Sequence, residues 1–436
     1  MKNLRILFML AAFGLLSYPC LSGGVRVEYI PNGLKLIHRQ TTANKILGVV
    51  CMVRTGSYYE TDDISGISSL LQTLLLKGTA SRSAADIALA LENEGINMDT
   101  DASEDYVMIS AVAMNDQLDT VMQLMSEVLF EPSFPFEEVE KEKKNAIAAI
   151  HLREDDKFNL AMKKMRALIY EGNPYARHPE GTPETIAQLS RERIADFHDQ
   201  FYQPQNMILS IVGDVDHSNV QAVAQKYFGS REPRVVQVAT SYQKPAMQRR
   251  AETIFKPVEQ GVIVIGHVGV PMDHKDFPAL RVTSAVLGEG MSSRFFSELR
   301  DRQGLAYAVG SFCMTQNRAG VLAGYIGTRP ESIDDARTGM LDLFDKLEND
   351  PLPEEELERA RNYIIGKFLI GHETNLKKAF YLAWFEQMGL GAAFDEKYPE
   401  LIKSVKVKDV RRIARKYFRA PVTVTLRPPQ EQSPTE

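Results

Sequence analysis

The sequence contains few of the residues that bind transition metals. Its 436 residues include three cysteines and eight histidines, and no two histidines are three or four positions apart. The histidines are His38, His151, His178, His198, His217, His267, His274 and His372. A zinc hydrolase needs three deprotonated ligands and an open position for water, and residues three or four apart share a helix face. The sequence therefore offers no helical pair of imidazoles for a metal.

The sequence also lacks an excess of basic residues. Its 51 Lys and Arg are outnumbered by 57 Asp and Glu, giving a net charge of −6. This acidic balance argues against nucleic acid as a partner.

Long apolar runs are missing as well. The clearest run, Ile6–Leu16, follows two cations and precedes small residues. It is too short to span a bilayer and is typical of a secretory signal peptide, which we assign to residues 1–22. Pro19 disfavours a lipid anchor at Cys20, because bacterial lipoprotein signals carry a small residue at that position. We expect an exported protein, periplasmic or secreted, with no membrane span.

The rest of the chain carries an internal repeat. In each half a helix pattern is interrupted by a proline-bearing loop, and the next helix opens on acidic residues that suit its N-terminus: Glu137 and Glu138 in one half, Glu354 and Glu355 in the other. A repeat of this length indicates a duplicated domain. Strand patterns lie at both ends of each half and helix patterns in the middle. We predict two α+β domains, each a mostly antiparallel sheet covered by helices on one face.

The predicted boundaries follow from composition. They are a signal peptide over 1–22, an N-terminal domain over 23–230, a linker over 231–250, a C-terminal domain over 251–428 and a tail over 429–436. The predicted strands are Val25–Tyr29, Leu34–His38, Leu47–Arg54, Met207–Val212, Thr253–Phe255, Gly261–Val268 and Val422–Leu426, and the predicted helices include Ala84–Glu94 and Arg191–Tyr202.

One segment, GISSLLQTLLLKGT at Gly66–Thr79, resembles the zinc helix of the M16 family of peptidases (pitrilysin, insulinase and mitochondrial processing peptidase). The family pattern is roughly G-L-A-H-x-x-E-H-x-L-x-K-G-T, with a further glutamate ligand on a later helix. On that pattern Ser69 and Thr73 replace the histidines, Gln72 replaces the catalytic glutamate, and Ala149 replaces the later ligand.

These replacements remove the zinc chemistry. Hydroxyl groups are poor zinc ligands at neutral pH, a glutamine amide cannot act as a base, and alanine has no donor atom. We expect no metal, no cofactor and no catalytic residue in this chain.

Further segments extend the resemblance over nearly the whole mature chain. They are Asn173-Pro174-Tyr175 with Gly181-Thr182, FYQPQNMILSIVGDVD at 201–216, and LGEGMSSRFFSELRDRQGLAYAV at 287–309. In the family, an Arg and a Tyr seven residues apart in the last of these segments hold the substrate peptide. The resemblance therefore implies substrate binding by Arg300 and Tyr307. The alternative is that Arg300 caps its helix and Tyr307 packs into the adjoining strand.

The resemblance implies a non-catalytic, substrate-binding subunit of a two-chain M16-type peptidase. A separate partner with an intact H-x-x-E-H helix would then hold the zinc, and the two chains would enclose a peptide. A structural scaffold and a peptide-binding homodimer are the alternatives. The sequence leaves the substrate, the partner and the pathway open.

Overall fold

A computed structural model of the protein describes residues 24–236 and 242–429. The predicted signal peptide, with Cys20, lies outside the described residues. So do residues 237–241 of the predicted linker and residues 430–436 of the predicted tail. No helix in the described ranges is long and apolar enough to cross a membrane.

Two sheets organise the chain. The first contains β1 (Val25–Tyr29), β2 (Lys35–Gln40), β3 (Ile46–Val53), β4 (Asn97–Ala102), β5 (Val107–Met114) and β6 (Met207–Gly213), in the order β1-β2-β6-β3-β5-β4. The second contains β7 (Arg250–Phe255), β8 (Gly261–Val268), β9 (Ala308–Thr315), β10 (Gly320–Thr328) and β11 (Val422–Arg427), in the order β7-β11-β8-β10-β9. In each sheet one pair is parallel, β2 with β6 and β7 with β11, and every other pair is antiparallel.

Fourteen α-helices lie in the described residues. They are α1 (Ile67–Leu74), α2 (Ala84–Glu94), α3 (Leu118–Phe130), α4 (Phe136–Asp155), α5 (Lys157–Ile169), α6 (Pro183–Gln188), α7 (Arg191–Phe201), α8 (His217–Phe228), α9 (Phe277–Gly288), α10 (Ile333–Asn349), α11 (Glu354–Ile370), α12 (Asn375–Gln387), α13 (Phe394–Lys403) and α14 (Val407–Tyr417). A π-helix, Phe295–Arg302, follows α9.

The duplication is visible element by element. In the first half β3 is followed by two helices, two strands, five helices and the returning strand β6. In the second half β8 is followed by α9, the π-helix, β9 and β10, five helices and the returning strand β11. Because the order and the pairing both repeat, the prediction of two duplicated α+β domains is confirmed.

One helix of each half packs on the sheet of the other half. Helix α5 packs on β8 and β11, and helix α12 packs on β3 and β6. Val50 and Met52 of β3 accordingly share a buried cluster with Ala379 and Leu382 of α12. Strands β3 and β8 are therefore buried on both faces, which explains their continuous apolar sequences. We predicted helical cover on one face only. The second face is covered as well, by the crossing helix.

Each predicted strand overlaps an observed one, and β1, β8 and α2 have the predicted bounds. The prediction of helices alone in the middle of each half was wrong, because β4 and β5 lie there in the first half and β9 and β10 in the second. Residues 231–236 and 242–249 form no regular element between α8 and β7. The edge strand β4 has the polar sequence NMDTDA and is half exposed, so its hydrophobic pattern is weak.

Candidate functional site

Helix α1, which we predicted to correspond to the family's zinc helix, has a defined position against its neighbours. Helices α1 and α4 pack together, and Lys77, just after α1, pairs with Glu142 of α4 over 3.1 Å. At the other end of α1, the carboxylate of Glu60 accepts hydrogen bonds from the backbone N–H groups of Gly66 and Ser68, at 2.8 and 2.9 Å. Both ends of the short helix are therefore fixed by charged side chains.

Glu60 is 3% exposed, and burial raises the pKa of its carboxyl to about 7 even though the two N–H donors favour the anion. A carboxylate near a helix N-terminus is electrostatically favourable. Sequence reasoning missed this residue, because it precedes the helix by several positions and a loop brings it back.

Two glycines fix how the chain enters α1. A Cβ atom on Gly66 would lie 2.5 Å from the carbonyl oxygen of Glu180, and one on Gly181 would lie 2.2 Å from the carbonyl oxygen of Ser65. Both glycines have positive φ, +93° and +72°, so any side chain there would be strained as well as crowded. The backbone at Gly181-Thr182, one of the motifs identified in the sequence, therefore packs against the residues that begin α1.

The four positions that we predicted to correspond to the family's zinc site carry side chains that are poor metal ligands. Ser69, Gln72 and Thr73 are half-buried on α1 and share one face by their spacing, and Ala149 is exposed on α4. The Thr73 hydroxyl donates to the carbonyl oxygen of Leu70 over 2.7 Å. The side-chain oxygen of Gln72 is buried without a hydrogen-bond partner in the described residues.

The family's zinc does not fit these residues, since they offer two hydroxyls, one amide and a methyl group where three deprotonated ligands and a base are required. In residues 24–236 and 242–429, no group of three or more His, Cys, Asp or Glu is placed to hold a metal ion. We therefore derive no metal-dependent step for this chain.

Arg300 and Tyr307 lie in the second half. Arg300 is exposed on the π-helix, with its guanidinium 4.9 Å from the centre of the Phe296 ring. Tyr307 is 60% exposed just before β9, and its backbone N–H donates to the carbonyl oxygen of Gly327 over 2.9 Å. Within the described residues neither side chain has a polar partner. The alternative of a helix cap and a strand-packed ring therefore does not describe these side chains.

The two groups of predicted site residues are carried by different parts of the fold. Ser69, Gln72 and Thr73 lie on the helix packed beside edge strand β4 of the first sheet. Arg300 and Tyr307 lie beside edge strand β9 of the second sheet.

A buried polar network joins the two halves. The Tyr175 hydroxyl donates to Asp105 over 2.7 Å, and the backbone N–H of Asn317, from the β9–β10 turn, donates to the same carboxylate over 2.9 Å. The Gln387 amide, at the end of the crossing helix α12, donates to the carbonyl oxygen of Asp105 over 2.8 Å. Burial raises the pKa of Asp105 to about 6. The Asn173-Pro174-Tyr175 motif therefore helps to fix the relative position of the halves.

Comparison with known families identifies this architecture. Residues 35–182 match the family model described as insulinase (peptidase family M16), and residues 188–364 match the model described as the peptidase M16 inactive domain. The two matches together span more than half of the chain. The protein therefore belongs to the M16 peptidase family, as the sequence motifs predicted.

Relatives and solved structures agree with this assignment. The chain is 26% identical to an uncharacterized zinc protease, YmxG, of Bacillus subtilis, over 93% of this chain and 98% of the relative. It is 28% identical to an uncharacterized zinc protease of Streptomyces coelicolor, over 90% of this chain and 87% of the relative.

Two crystal structures share the fold. A protease from Helicobacter pylori matches with a TM-score of 0.88 at 24% identity, over 93% of this chain and 99% of that one. A peptidase M16 inactive domain from Pseudomonas fluorescens matches with a TM-score of 0.86 at 22% identity, over 94% and 100%.

Proposed function

We propose that this chain is the non-catalytic, substrate-binding subunit of an exported, two-chain M16 zinc peptidase. One observation carries the proposal. The α1–α4 pair keeps its packing and its charged anchors, yet its four site positions offer neither three metal ligands nor a base. A family member with such a helix contributes to peptide hydrolysis only beside a chain whose H-x-x-E-H helix holds zinc and activates water.

The second half supports a role in holding the peptide. A guanidinium presents a planar fork of donors to carbonyl oxygens, and a phenol can donate to an oxyanion as it develops. The polar ends of Arg300 and Tyr307 are exposed and make no hydrogen bond or ion pair within the described ranges. Both groups are therefore available to a ligand, which is the role that the family resemblance implies for them.

Export is part of the proposal and rests on the sequence alone. The two cations, the apolar run Ile6–Leu16 and the small residues after it are the basis for a signal peptide. The partner would be exported to the same compartment, periplasmic or extracellular.

Reconstitution tests the function. An M16 chain with an intact H-x-x-E-H helix, encoded next to this one, would be purified alone and together with this protein, and hydrolysis of a fluorogenic peptide would be measured. We expect chelator-sensitive hydrolysis only in the mixture. The control is a partner in which the glutamate of that motif is replaced by glutamine, and its mixture should be inactive.

Two outcomes would overturn the proposal. Chelator-sensitive hydrolysis by this chain alone would show that it has its own metal site. Full activity of the partner alone, unchanged by this chain, would favour the scaffold or homodimer alternative.

A further inference from the structure

A cavity near helix α1 is lined by several charged side chains, one of which has a donor that is unpaired within the described residues. It has a volume of about 290 Å³ and lies between the C-terminal part of α4, helix α5 and the loop 178–181. Arg153 lines it from α4, Lys163 and Arg166 line it from α5, and His178 and Glu180 line it from the loop. The Glu180 carbonyl is the group that crowds Gly66 at the start of α1, so the cavity adjoins the former zinc helix.

Arg166 is the unusual residue of this cavity. It is 7% exposed, its Nε atom donates to the carbonyl oxygen of Tyr175 over 2.7 Å, and its Nη1 atom bonds the Glu104 carboxylate. Its Nη2 atom is buried and has no hydrogen-bond partner among the described residues. Buried donors are almost always paired, because an unpaired one loses its hydration without compensation. The guanidinium therefore has one N–H donor that could bond to an acceptor from outside the chain.

The charged side chains around the cavity are paired with one another. Lys163 pairs with Glu154 over 2.8 Å, and Arg153 pairs with Glu180, so the two lining acids are already engaged. Glu104, the partner of Arg166, does not line the cavity. Burial and the nearby cations lower the pKa of His178 to about 4, so its ring is neutral at pH 7. Arg166 is itself paired with Glu104, so each lining cation has a carboxylate partner. The Nη2 atom of Arg166 remains without a partner among the described residues, and a charged donor of this kind forms its strongest hydrogen bond with an anion.

We propose that this cavity binds a carboxylate of the peptide substrate, with the Nη2 atom of Arg166 as a charge-assisted donor. The carboxylate comes from an acidic side chain or from the peptide's C-terminus. The volume suits one such group and not a whole peptide. This inference rests on the proposed function, because it names the chemistry of the substrate that the subunit would hold.

Peptide binding to the isolated full-length mature chain, measured by isothermal titration calorimetry, tests the site without a catalytic partner. The first probe is an N-acetylated tetra-alanine with a free C-terminal carboxylate. The second is the same peptide as a C-terminal amide, and the third is that amide with one alanine replaced by glutamate. We expect the first or the third probe to bind at least about tenfold more tightly than the second, which is the effect of one charge-assisted hydrogen bond.

A matched pair of lysines on α5 provides the control. The side chains of Lys163 and Lys164 are 38% and 40% exposed, and each makes one ion pair, with Glu154 and Glu252 respectively. Only Lys163 lines the cavity. Lys163→Gln removes a positive charge that lines the cavity and should weaken binding of the carboxylate probe several-fold, whereas Lys164→Gln should leave it unchanged.

Two further variants address the cavity itself. Arg166→Lys keeps the charge but removes the fork of donors, and should weaken binding about tenfold. Asn159→Trp adds bulk from an exposed lining position without touching the partners of Arg166. It should abolish binding by filling the cavity, and it tests the site independently of whether the Arg166 variant folds.

Equal binding of all three probes, or equal effects of the two lysine variants, would overturn the carboxylate site. Binding of the first probe alone would assign the site to a peptide C-terminus, and binding of the third alone would assign it to an acidic side chain. Either result supports the proposal. Carboxylate binding without any stimulation of a catalytic partner would refute the proposed function and leave this site standing.

Discussion

The carboxylate of Glu60 lies 2.8 Å from the backbone nitrogen of Gly66, the N-cap residue of helix α1. This contact holds the N-terminus of a helix only eight residues long, which is too short to be stable by its own hydrogen bonds. The anchor is present although Ser69, Gln72 and Thr73 offer neither an imidazole nor a carboxylate for zinc. The contact that positions helix α1 is therefore independent of whether its side chains can bind zinc.

Glu60→Gln should change how stability depends on pH. The folded protein holds the Glu60 proton up to about pH 7, whereas the unfolded chain releases it near the ordinary value of 4.5. The contribution of Glu60 to stability is therefore greatest below pH 4.5 and is lost as the pH rises towards 7, by up to about 3 kcal/mol. The free energy of unfolding, measured with urea, should fall less between pH 5 and pH 8 in the variant than in the wild type.

The exposed glutamate Glu137 serves as the control for this comparison. Its replacement by glutamine should leave the difference between pH 5 and pH 8 unchanged. If Glu60→Gln also left that difference unchanged, the titration of Glu60 would not be linked to folding.

Gly48→Ala should destabilise the protein by separating α12 from the first sheet. A Cβ atom on Gly48 would lie 2.3 Å from the backbone nitrogen of Leu376, so the crossing helix would have to move. We expect a loss of about 2–4 kcal/mol in thermal or urea unfolding.

Gly366→Ala is the matched control, because a Cβ atom there would have no neighbour within 4 Å. Gly366 lies inside α11, where alanine should stabilise the helix by about 0.5–1 kcal/mol. Equal effects of the two substitutions would mean that the close approach of α12 does not contribute to stability.

Restoring the zinc ligands should restore zinc binding. We expect the wild-type protein to carry no stoichiometric zinc by elemental analysis. The variant Ser69→His, Gln72→Glu, Thr73→His and Ala149→Glu places two imidazoles on one face of α1 and a carboxylate on the packed helix α4. It should bind about one zinc per chain.

The same variant without Ala149→Glu supplies one ligand fewer and should bind zinc more weakly. A folded fourfold variant that bound no zinc would show that α1 and α4 no longer have the spacing of a metal site. Stoichiometric zinc in the wild-type protein would overturn the interpretation of the emptied helix.

Arg300→Ala should weaken substrate binding in the reconstituted peptidase. Because the Arg300 side chain has no polar partner in the described part of the chain, its loss should not affect folding. We expect KM to rise about tenfold with little change in kcat, the effect of losing hydrogen bonds made by a charged group.

Arg302 provides the comparison for Arg300, since it is 72% exposed on the same helix and pairs with Glu298 over 2.6 Å. Arg302→Ala should leave KM unchanged. Unaltered kinetics in both variants would remove Arg300 from the substrate site.

The sequence alone determined much of the fold. Strand β8 was predicted with its observed bounds because it is a continuous apolar run. The bounds of β1 and α2 were also predicted, since β1 alternates Val with polar residues and α2 lies between the cap residues Ser83 and Gly95. The duplication was predicted from repeated local patterns. Strand β4 carried too little apolar sequence for a local prediction, since an edge strand pairs on one side only.

The identities of Ser69, Gln72, Thr73 and Ala149 also came from the sequence, because the absence of ligands is a property of side-chain chemistry and not of position. Only the tertiary structure decided that α5 and α12 each pack on the sheet of the other half and that Glu60 returns to the start of α1. It also decided that Arg166, which lines a cavity, has a buried donor without a partner among the described residues. Each of these depends on contacts between residues far apart in the chain, whereas a sequence pattern reports only on neighbours within a helix or strand.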